Sequence, residues 1–136
     1  MGESRNHIDL VAVAYHCALS IVPRDLEALV QADTADSPKP TRVIGNFVPD
    51  VFFWNGKLLV IGEAKTFEDF DRPHSLSQYD AYMQECHNFP GTSVLIISVP
   101  WQLVFTAKNY FRRMKTKGGH HFRIIVVNEI NVRYEI

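Results

Sequence analysis

Two carboxylates and one ammonium group stand close together in the middle of the chain, at Asp50, Glu63 and Lys65. Hydrolysis of a phosphodiester needs these residue types, because a water must be activated and the developing negative charge must be neutralised. Carboxylates hold hard cations such as Mg²⁺, which keep several of their waters. A lysine beside the cation can orient or deprotonate the attacking water, or stabilise the charge on the phosphorane-like transition state. The three residues therefore form a candidate hydrolytic site if the fold brings them together.

A β-hairpin is the element that must position them. The dipeptide Asn55-Gly56 separates two β-prone runs, residues 47–54 and 57–65. It is a strong hairpin signal, because both positions of a two-residue turn favour positive φ. With such a turn, Trp54 pairs with Lys57.

The same register pairs Asp50 with Ile61. Side chains alternate between the two faces of a sheet, so Asp50, Ile61, Glu63 and Lys65 all point to one side. Asp50 and Glu63 become diagonal neighbours, about 7–8 Å apart at Cα, which lets both carboxylates hold one ion. A slip of one residue would turn Asp50 to the other face and remove the site.

The remaining pattern predicts helices on both sides of that hairpin. Both hairpin strands are apolar on both faces, as in a sheet that is covered on each side. The order of elements predicts a single α/β domain over residues 1–136, with a mixed central β-sheet flanked by helices. Besides the hairpin, the predicted elements are a helix over 6–21, a short helix to about 31, a loop over 33–40, a helix over 73–87, a strand over 93–99, a helix over 100–115 that stops at Gly118-Gly119, and strands over 122–127 and 131–134.

Pro49-Asp50 and Glu63-Ala64-Lys65 resemble the signature of the PD-(D/E)xK nuclease superfamily. The resemblance implies a restriction-endonuclease-like fold with an αβββαβ core, which the predicted element order matches. It implies Asp50 and Glu63 as ligands of Mg²⁺, for which Mn²⁺ can substitute, and the carbonyl of Ala64 as a further ligand. Lys65 would be the catalytic lysine.

Gln78 and Tyr82 lie one turn apart on the helix that follows the hairpin, on the face opposite Leu76 and Met83. A Q-x-x-x-Y element after the E-x-K resembles the RecB-like branch, in which it contacts substrate near the metal. That resemblance assigns a catalytic role to Gln78 and a nucleic-acid contact to Tyr82. The alternative is a capping box over residues 75–78, in which the Gln78 side chain returns to the backbone of Ser75.

The identity of the remaining metal ligand stays open. The superfamily usually places an acid, or in some branches a histidine, on the first helix, and Glu27 stands at a suitable distance before Asp50. His7 and His16 are rival candidates. The segment that leads from a glycine to Pro-Asp, residues 45–50, is similar to the corresponding segment of archaeal junction resolvases.

Basic residues are concentrated after the acidic middle of the chain, and residues 101–128 contain no acid. Lys108, Arg112 and Lys115 share one helical face, with Arg113 and Lys117 beside it. This stripe would follow a phosphate backbone, or it is a solvated helix face with cations near its carboxyl end.

Two other polar clusters can be explained without a functional role. His120-His121 would bind a metal or form a polar turn after the two glycines. Glu68, Asp69 and Asp71 are typical of a solvated loop edge.

Length and composition restrict the class of protein. The 136 residues suit one domain and leave little room for two. No apolar run approaches the roughly 20 residues needed to cross a bilayer, and residues 1–9 lack the apolar core of a signal peptide. Cys17 and Cys86 are isolated, which favours a reducing compartment. We therefore expect a cytoplasmic protein with no membrane partner.

The sequence thus predicts a hydrolase: a Mg²⁺- or Mn²⁺-dependent endonuclease acting on DNA, with RNA not excluded. The small size favours a structure-selective, resolvase-like enzyme, or one associated with restriction or transposition, acting as a homodimer or within a larger DNA-processing complex. The first alternative is a catalytically inactive DNA-binding or assembly module of the same fold. The second is a plain α/β domain in which Asp50 and Glu63 are surface residues and Lys65 is their ion-pair partner.

Overall fold

Six strands form one mixed sheet, and their order in space follows their order in the chain. The computed structural model describes residues 5–136. The strands are β1 (Gln31–Ala32), β2 (Val51–Trp54), β3 (Leu58–Ala64), β4 (Thr92–Ser98), β5 (Arg123–Val127) and β6 (Arg133–Glu135). Strand β2 is antiparallel to its neighbours β1 and β3; β3, β4 and β5 are parallel; and β6 is antiparallel to β5.

Helices cover both faces of this sheet. They are α1 (Arg5–Ile21), α2 (Pro73–Asn88) and α3 (Val104–Gly118), with short 3₁₀ turns at Arg24–Leu29 and Trp101–Leu103. The α1 side packs against alternate strand residues such as Val60 and Ile96. The α2 and α3 side packs against the other alternate residues of the same strands, such as Ile61 and Ile97.

Burial on both faces explains the apolar character of the central strands. Leu95, Ile96 and Ile97 are consecutive in β4 and fully buried, and each such side chain stabilises the fold by about 1.5–3 kcal/mol. The predicted fold class, a mixed central sheet flanked by helices, is confirmed. Among residues 5–136, no helix combines the length and apolarity needed to cross a membrane.

The hairpin forms, but its predicted register is wrong by two residues. Trp54 pairs with Leu59 rather than Lys57, and Phe52 takes the place opposite Ile61 that had been predicted for Asp50. The cause is the turn: the Asn55 side chain accepts hydrogen bonds from the backbone N–H groups of Lys57 and Leu58 at 2.9 and 2.8 Å. This Asx-type arrangement lengthens the connection beyond two residues.

A shift of two residues leaves every side chain on its predicted face, because the face repeats every second residue. Phe52 and Ile61 accordingly lie together in the core beneath α2 and α3. On the opposite face, a Cβ at Gly62 would come within 2.8 Å of the Val51 Cβ, so the strands approach closely there. The geometric basis of the site therefore survives the error in register.

A two-residue turn does occur just upstream, at Gly45-Asn46. Both residues have positive φ, +56° and +73°. Ile44 and Phe47 exchange backbone hydrogen bonds across it at 2.7 and 3.0 Å. The predicted strand over 47–54 is therefore shorter, and the extended pairing begins only at Val51. Pro49 contributes to this, since it has no N–H to donate to a ladder.

The other elements follow the prediction closely. The first helix and the strand and helix after the hairpin lie within two residues of their predicted bounds. The third helix begins later than predicted, after the Trp101–Leu103 turn, and ends where Gly119 adopts a φ of +62°. The short edge strand Gln31–Ala32 was not predicted, since two residues carry no readable periodicity.

Candidate active site

The predicted acid pair meets at the carboxyl end of β3. Asp50 immediately precedes β2, which is antiparallel to β3, so it lies beside the last residues of β3. Its Oδ2 accepts a hydrogen bond from the backbone N–H of Ala64 at 2.9 Å. That bond fixes the Asp50 carboxylate against the backbone between Glu63 and Lys65.

Glu63 is the most buried charged residue of this group, at 4 % exposure. Its Oε2 lies 3.6 Å from the Nζ of Lys65, while its Oε1 has no hydrogen-bond partner among the described residues. Burial raises the pKa of the Glu63 carboxyl well above its ordinary value of 4.5; the nearby Asp50 raises it further, and Lys65 acts in the opposite direction. When both carboxyl groups are ionised, they outnumber the single ammonium group of Lys65, and the His7 imidazole lies beside Asp50.

Lys65 is held in place by backbone and side-chain contacts. Its N–H donates to the Ser98 carbonyl of β4 at 2.9 Å, and its Nζ donates to the Oε1 of Gln78 on α2. The side chain is 8 % exposed. Its ammonium group is therefore positioned between Glu63 and the amide of Gln78.

Of the two roles predicted for Gln78, the structure does not form the capping box. The helix begins at Pro73, so Ser75 lies inside its first turn and the capping box does not form. The Ser75 hydroxyl donates instead to the carbonyl of Asp69 at 2.5 Å. Gln78 is thus free of a capping role and serves as the acceptor for Lys65.

Tyr82 is fully buried, as is its neighbour Met83, so it does not lie on an opposite, exposed face. The stripe of α2 that contains Gln78 and Tyr82 turns toward the end of β3 rather than toward solvent. Burial and the charge of the adjacent Glu63 raise the pKa of the Tyr82 hydroxyl, which lies beside that carboxyl group without forming a hydrogen bond of good geometry. This position does not support a direct contact of Tyr82 with nucleic acid.

Of the three candidates for a further ligand, His7 is the one that the structure brings to the acids. Its Nε2 lies 3.5 Å from the Oδ2 of Asp50, with the side chains 20 % and 13 % exposed. Glu27 lies instead in the 3₁₀ turn after α1, and no hydrogen bond or ion pair described for residues 5–136 joins it to Asp50 or Glu63. His16 is exposed and contacts the ring of Tyr15.

The donor set fits a hard, oxygen-seeking cation. Carboxylate oxygens are the ligands that Mg²⁺ prefers, and it usually takes only one or two of them from the protein. The unpartnered Oε1 of Glu63 and the repulsion between the two carboxylates are the features that a bound cation would relieve. Among the described residues, no group of three or more His, Cys, Asp or Glu side chains could hold a metal. The protein would therefore offer two carboxylates, and water or the Ala64 carbonyl would complete the shell.

The basic stripe on α3 extends away from this site. Helix α3 connects the parallel strands β4 and β5 and therefore runs back along the sheet, so its last turn lies at the opposite end of the strands from Glu63. Lys108 lies 4.8 Å from the centroid of the Tyr134 ring, and the Nζ of Lys115 donates to the carbonyl of Ile136 at 2.9 Å. Arg112, Arg113 and Lys117 are exposed. The Nη1 of Arg112 donates to the Oδ1 of Asn109 at 3.3 Å, and the Arg113 guanidinium lies 5.7 Å from the centroid of the Tyr110 ring. These three exposed side chains are the ones available to a phosphate backbone.

The two remaining clusters also have defined positions. Glu68, Asp69 and Asp71 are exposed in the turn before α2, as predicted for a loop edge. His120 contacts His87 of α2, whereas His121 is exposed. Both cysteines are buried and free.

Sequence reasoning placed Asp50, Glu63, Lys65 and Gln78 near one another but missed two relationships. One is the proximity of Tyr82 to Glu63. The sequence did contain a signal for it, because Tyr82 follows Gln78 by four residues and the two therefore share one face of the helix. The contact of His7 with Asp50 carries no signal in the sequence that separates it from His16. Comparison of the chain with family models, with curated proteins and with solved structures finds no significant match.

Proposed function

We propose that this protein is a Mg²⁺-dependent nuclease of the PD-(D/E)xK type, with Mn²⁺ able to substitute, that hydrolyses phosphodiester bonds of DNA as an endonuclease. The observation that carries the proposal is the convergence of Asp50, Glu63, Lys65 and Gln78 at the carboxyl end of one strand. Charged side chains are seldom buried together for packing alone, because desolvation penalises each of them.

The order of elements supports the same proposal. From the start of the described residues to β4, the chain contains one helix, three strands, a second helix and a fourth strand. This is the αβββαβ order that the resemblance of the Pro49-Asp50 and Glu63-Ala64-Lys65 motifs implies. Asp50 lies just before the second strand and Glu63 near the end of the third, and the antiparallel pairing of these strands brings both acids to the same end of the sheet.

In this proposal Asp50 and Glu63 hold the cation, which supplies charge neutralisation at the scissile phosphate and a more acidic water. The Ala64 N–H fixes the orientation of Asp50 through its 2.9 Å hydrogen bond. The Lys65 ammonium group faces the same space and orients the attacking water or stabilises the developing charge. Gln78 is a positioning residue, since it acts through its hydrogen bond with Lys65.

The substrate class is inferred from charge. The exposed Arg112, Arg113 and Lys117 favour nucleic acid as the partner. We propose a structure-selective enzyme, resolvase-like or associated with restriction or transposition, that acts as a homodimer or within a larger complex. RNA is an alternative substrate.

A second candidate is supported by the burial of the site. Glu63 and Lys65 are 4 % and 8 % exposed. The nearby cleft of about 390 Å³ is lined by Thr66, Phe67 and Glu68 but not by Glu63. This burial is compatible with a catalytically inactive module of the same fold, which binds DNA or assembles with other proteins and in which no substrate reaches Glu63.

One experiment separates the two functions. Supercoiled plasmid, single strands and a four-way junction are incubated with the protein in Mg²⁺, Mn²⁺ or chelator, beside the variants Glu63→Ala and Glu68→Ala. The nuclease proposal predicts metal-dependent cleavage that Glu63→Ala abolishes and that the exposed control Glu68→Ala retains. Binding without cleavage under every condition would favour the inactive module.

A further inference from the structure

Two histidines from different elements meet at the end of the sheet opposite the acid pair. His87 lies in the last turn of α2, and His120 follows the end of α3. Their Nδ1 atoms are 2.8 Å apart. The rings are nearly perpendicular, with centroids 4.7 Å apart and an angle of 71° between their planes. This is a hydrogen bond, in which one Nδ1 donates a proton to the other. A metal ion bound by both Nδ1 atoms would take the place of that shared proton.

The local backbone holds His120 in this orientation. Its N–H donates to the carbonyl of Lys115 at 3.0 Å, which closes the end of α3. Its ring packs beside Phe122 and against Gly118. A Cβ at position 118 would lie 2.3 Å from the Nε2 of His120, so a glycine is what allows the ring to lie there.

We propose that His87 and His120 form a binding site for a borderline divalent transition metal of the Zn²⁺ class. Imidazole nitrogen is a preferred ligand of such ions, whereas Mg²⁺ prefers oxygen. Two nitrogens bound tetrahedrally at about 2.0–2.1 Å stand about 3.4 Å apart, so the rings need to separate only slightly to admit the ion. No further His, Cys, Asp or Glu side chain of residues 5–136 completes a three-ligand group, so water fills the other positions.

The bound metal would join the end of α2 to the segment between α3 and β5. The site is independent of the nuclease proposal, because His87 and His120 share no contact with Asp50 or Glu63 in the described residues. It would be weaker than a structural zinc site, which has four protein ligands. Its expected consequence is a Zn²⁺-dependent rise in stability rather than any change in chemistry at Glu63.

The test is a titration of the isotope-labelled protein with Zn²⁺ in excess Mg²⁺, followed by the imidazole proton resonances in NMR spectra. We expect the signals of His87 and His120 to shift together along one saturating curve. His87→Ala and His120→Ala should each weaken Zn²⁺ binding by at least about tenfold, and the control His121→Ala should leave it within about twofold. Melting without metal checks that each variant is folded; the substituted side chains are only partly buried or exposed.

Two results would overturn the proposal. One is a titration in which the resonances of His87 and His120 do not move although Zn²⁺ binds elsewhere. The other is an equal loss of affinity in His121→Ala and His87→Ala, which would indicate a different ligand set.

Discussion

The Nζ of Lys65 lies 3.6 Å from the Oε2 of Glu63, two residues earlier in the same strand, and both side chains are almost completely buried. One ammonium group matches one carboxylate, while Asp50 adds a second carboxylate, beside which lies the His7 imidazole. Burial and the closeness of the two carboxylates raise the pKa of Glu63. A bound cation would relieve that repulsion, and this is the basis of the following predictions.

Replacing Glu63 with glutamine should stabilise the metal-free protein at neutral pH. The folded protein holds a proton on Glu63 to higher pH than the unfolded chain, because its pKa is raised above 4.5. The free energy of unfolding of the wild type therefore falls as the pH rises from about 4.5 through the raised pKa. Glu63→Gln removes that fall, and urea unfolding in chelator at several pH values measures it.

The expected gain at high pH is about 1–3 kcal/mol, the scale of an unsatisfied buried polar group. Below the ordinary pKa of glutamate, the two proteins should be equally stable. The exposed variant Glu68→Gln is the matched control and should follow the wild type throughout. A Glu63→Gln protein that is less stable than the wild type at every pH would contradict the account.

Mg²⁺ and Mn²⁺ should stabilise the folded protein through Asp50. A ligand present at 100 times its dissociation constant stabilises by about 2.7 kcal/mol, and a thermal melt against metal concentration detects this. Asp50→Asn should remove most of the stabilisation. Glu27→Gln should keep it, because Glu27 lies in the 3₁₀ turn without a described contact to Asp50. Equal responses of the two variants would place the metal elsewhere.

His7→Ala should weaken Mg²⁺ binding. His7 lies 3.5 Å from the Oδ2 of Asp50, and loss of a partner that orients a ligand typically lowers metal affinity by about 10–100-fold. His16→Ala is the control on the same helix, since His16 is exposed. The midpoint of the Mg²⁺-dependent melting shift provides the comparison. An unchanged midpoint in His7→Ala would show that this contact has no role in metal binding.

Two buried tyrosines on α2 should respond differently to removal of their hydroxyl groups. The hydroxyl of Tyr79 donates to the carbonyl of Phe70 at 2.7 Å, so Tyr79→Phe should destabilise the protein by about 1 kcal/mol. The hydroxyl of Tyr82 lies beside the Glu63 carboxyl group but makes no hydrogen bond of good geometry, so Tyr82→Phe should cost less than Tyr79→Phe in chelator. Urea unfolding of the pair measures both. A larger loss for Tyr82→Phe would mean that this hydroxyl is bonded in the metal-free protein.

The face on which the site residues lie could be predicted, because it changes only if the hairpin register shifts by an odd number of residues. The Asn55 side chain lengthened the turn and moved Trp54 opposite Leu59. Since the displacement was two residues, Glu63 and Lys65 kept their face. A turn signal in the sequence locates a hairpin well but does not determine how many residues the connection will contain.

Contacts between distant segments could not be predicted in the same way. Gln78 has equal local reasons to cap a helix or to turn inward, and the hydrogen bond with Lys65 depends on how α2 packs on the sheet. The choice of His7 over Glu27 likewise follows from the path of the chain after α1, which periodicity does not reveal. Local pattern determines elements and faces, whereas packing determines which faces meet.

The nuclease proposal is tested most directly by the rate of plasmid nicking in Mg²⁺ for the wild type and two lysine variants of the same hairpin. Lys65 is buried beside Glu63, whereas Lys57 is exposed in the turn. We predict metal-dependent nicking that Lys65→Met slows by about 10²–10⁴-fold and that Lys57→Met leaves within about twofold. Absence of metal-dependent nicking by the wild type, or an equal effect of the two substitutions, would contradict the assignment.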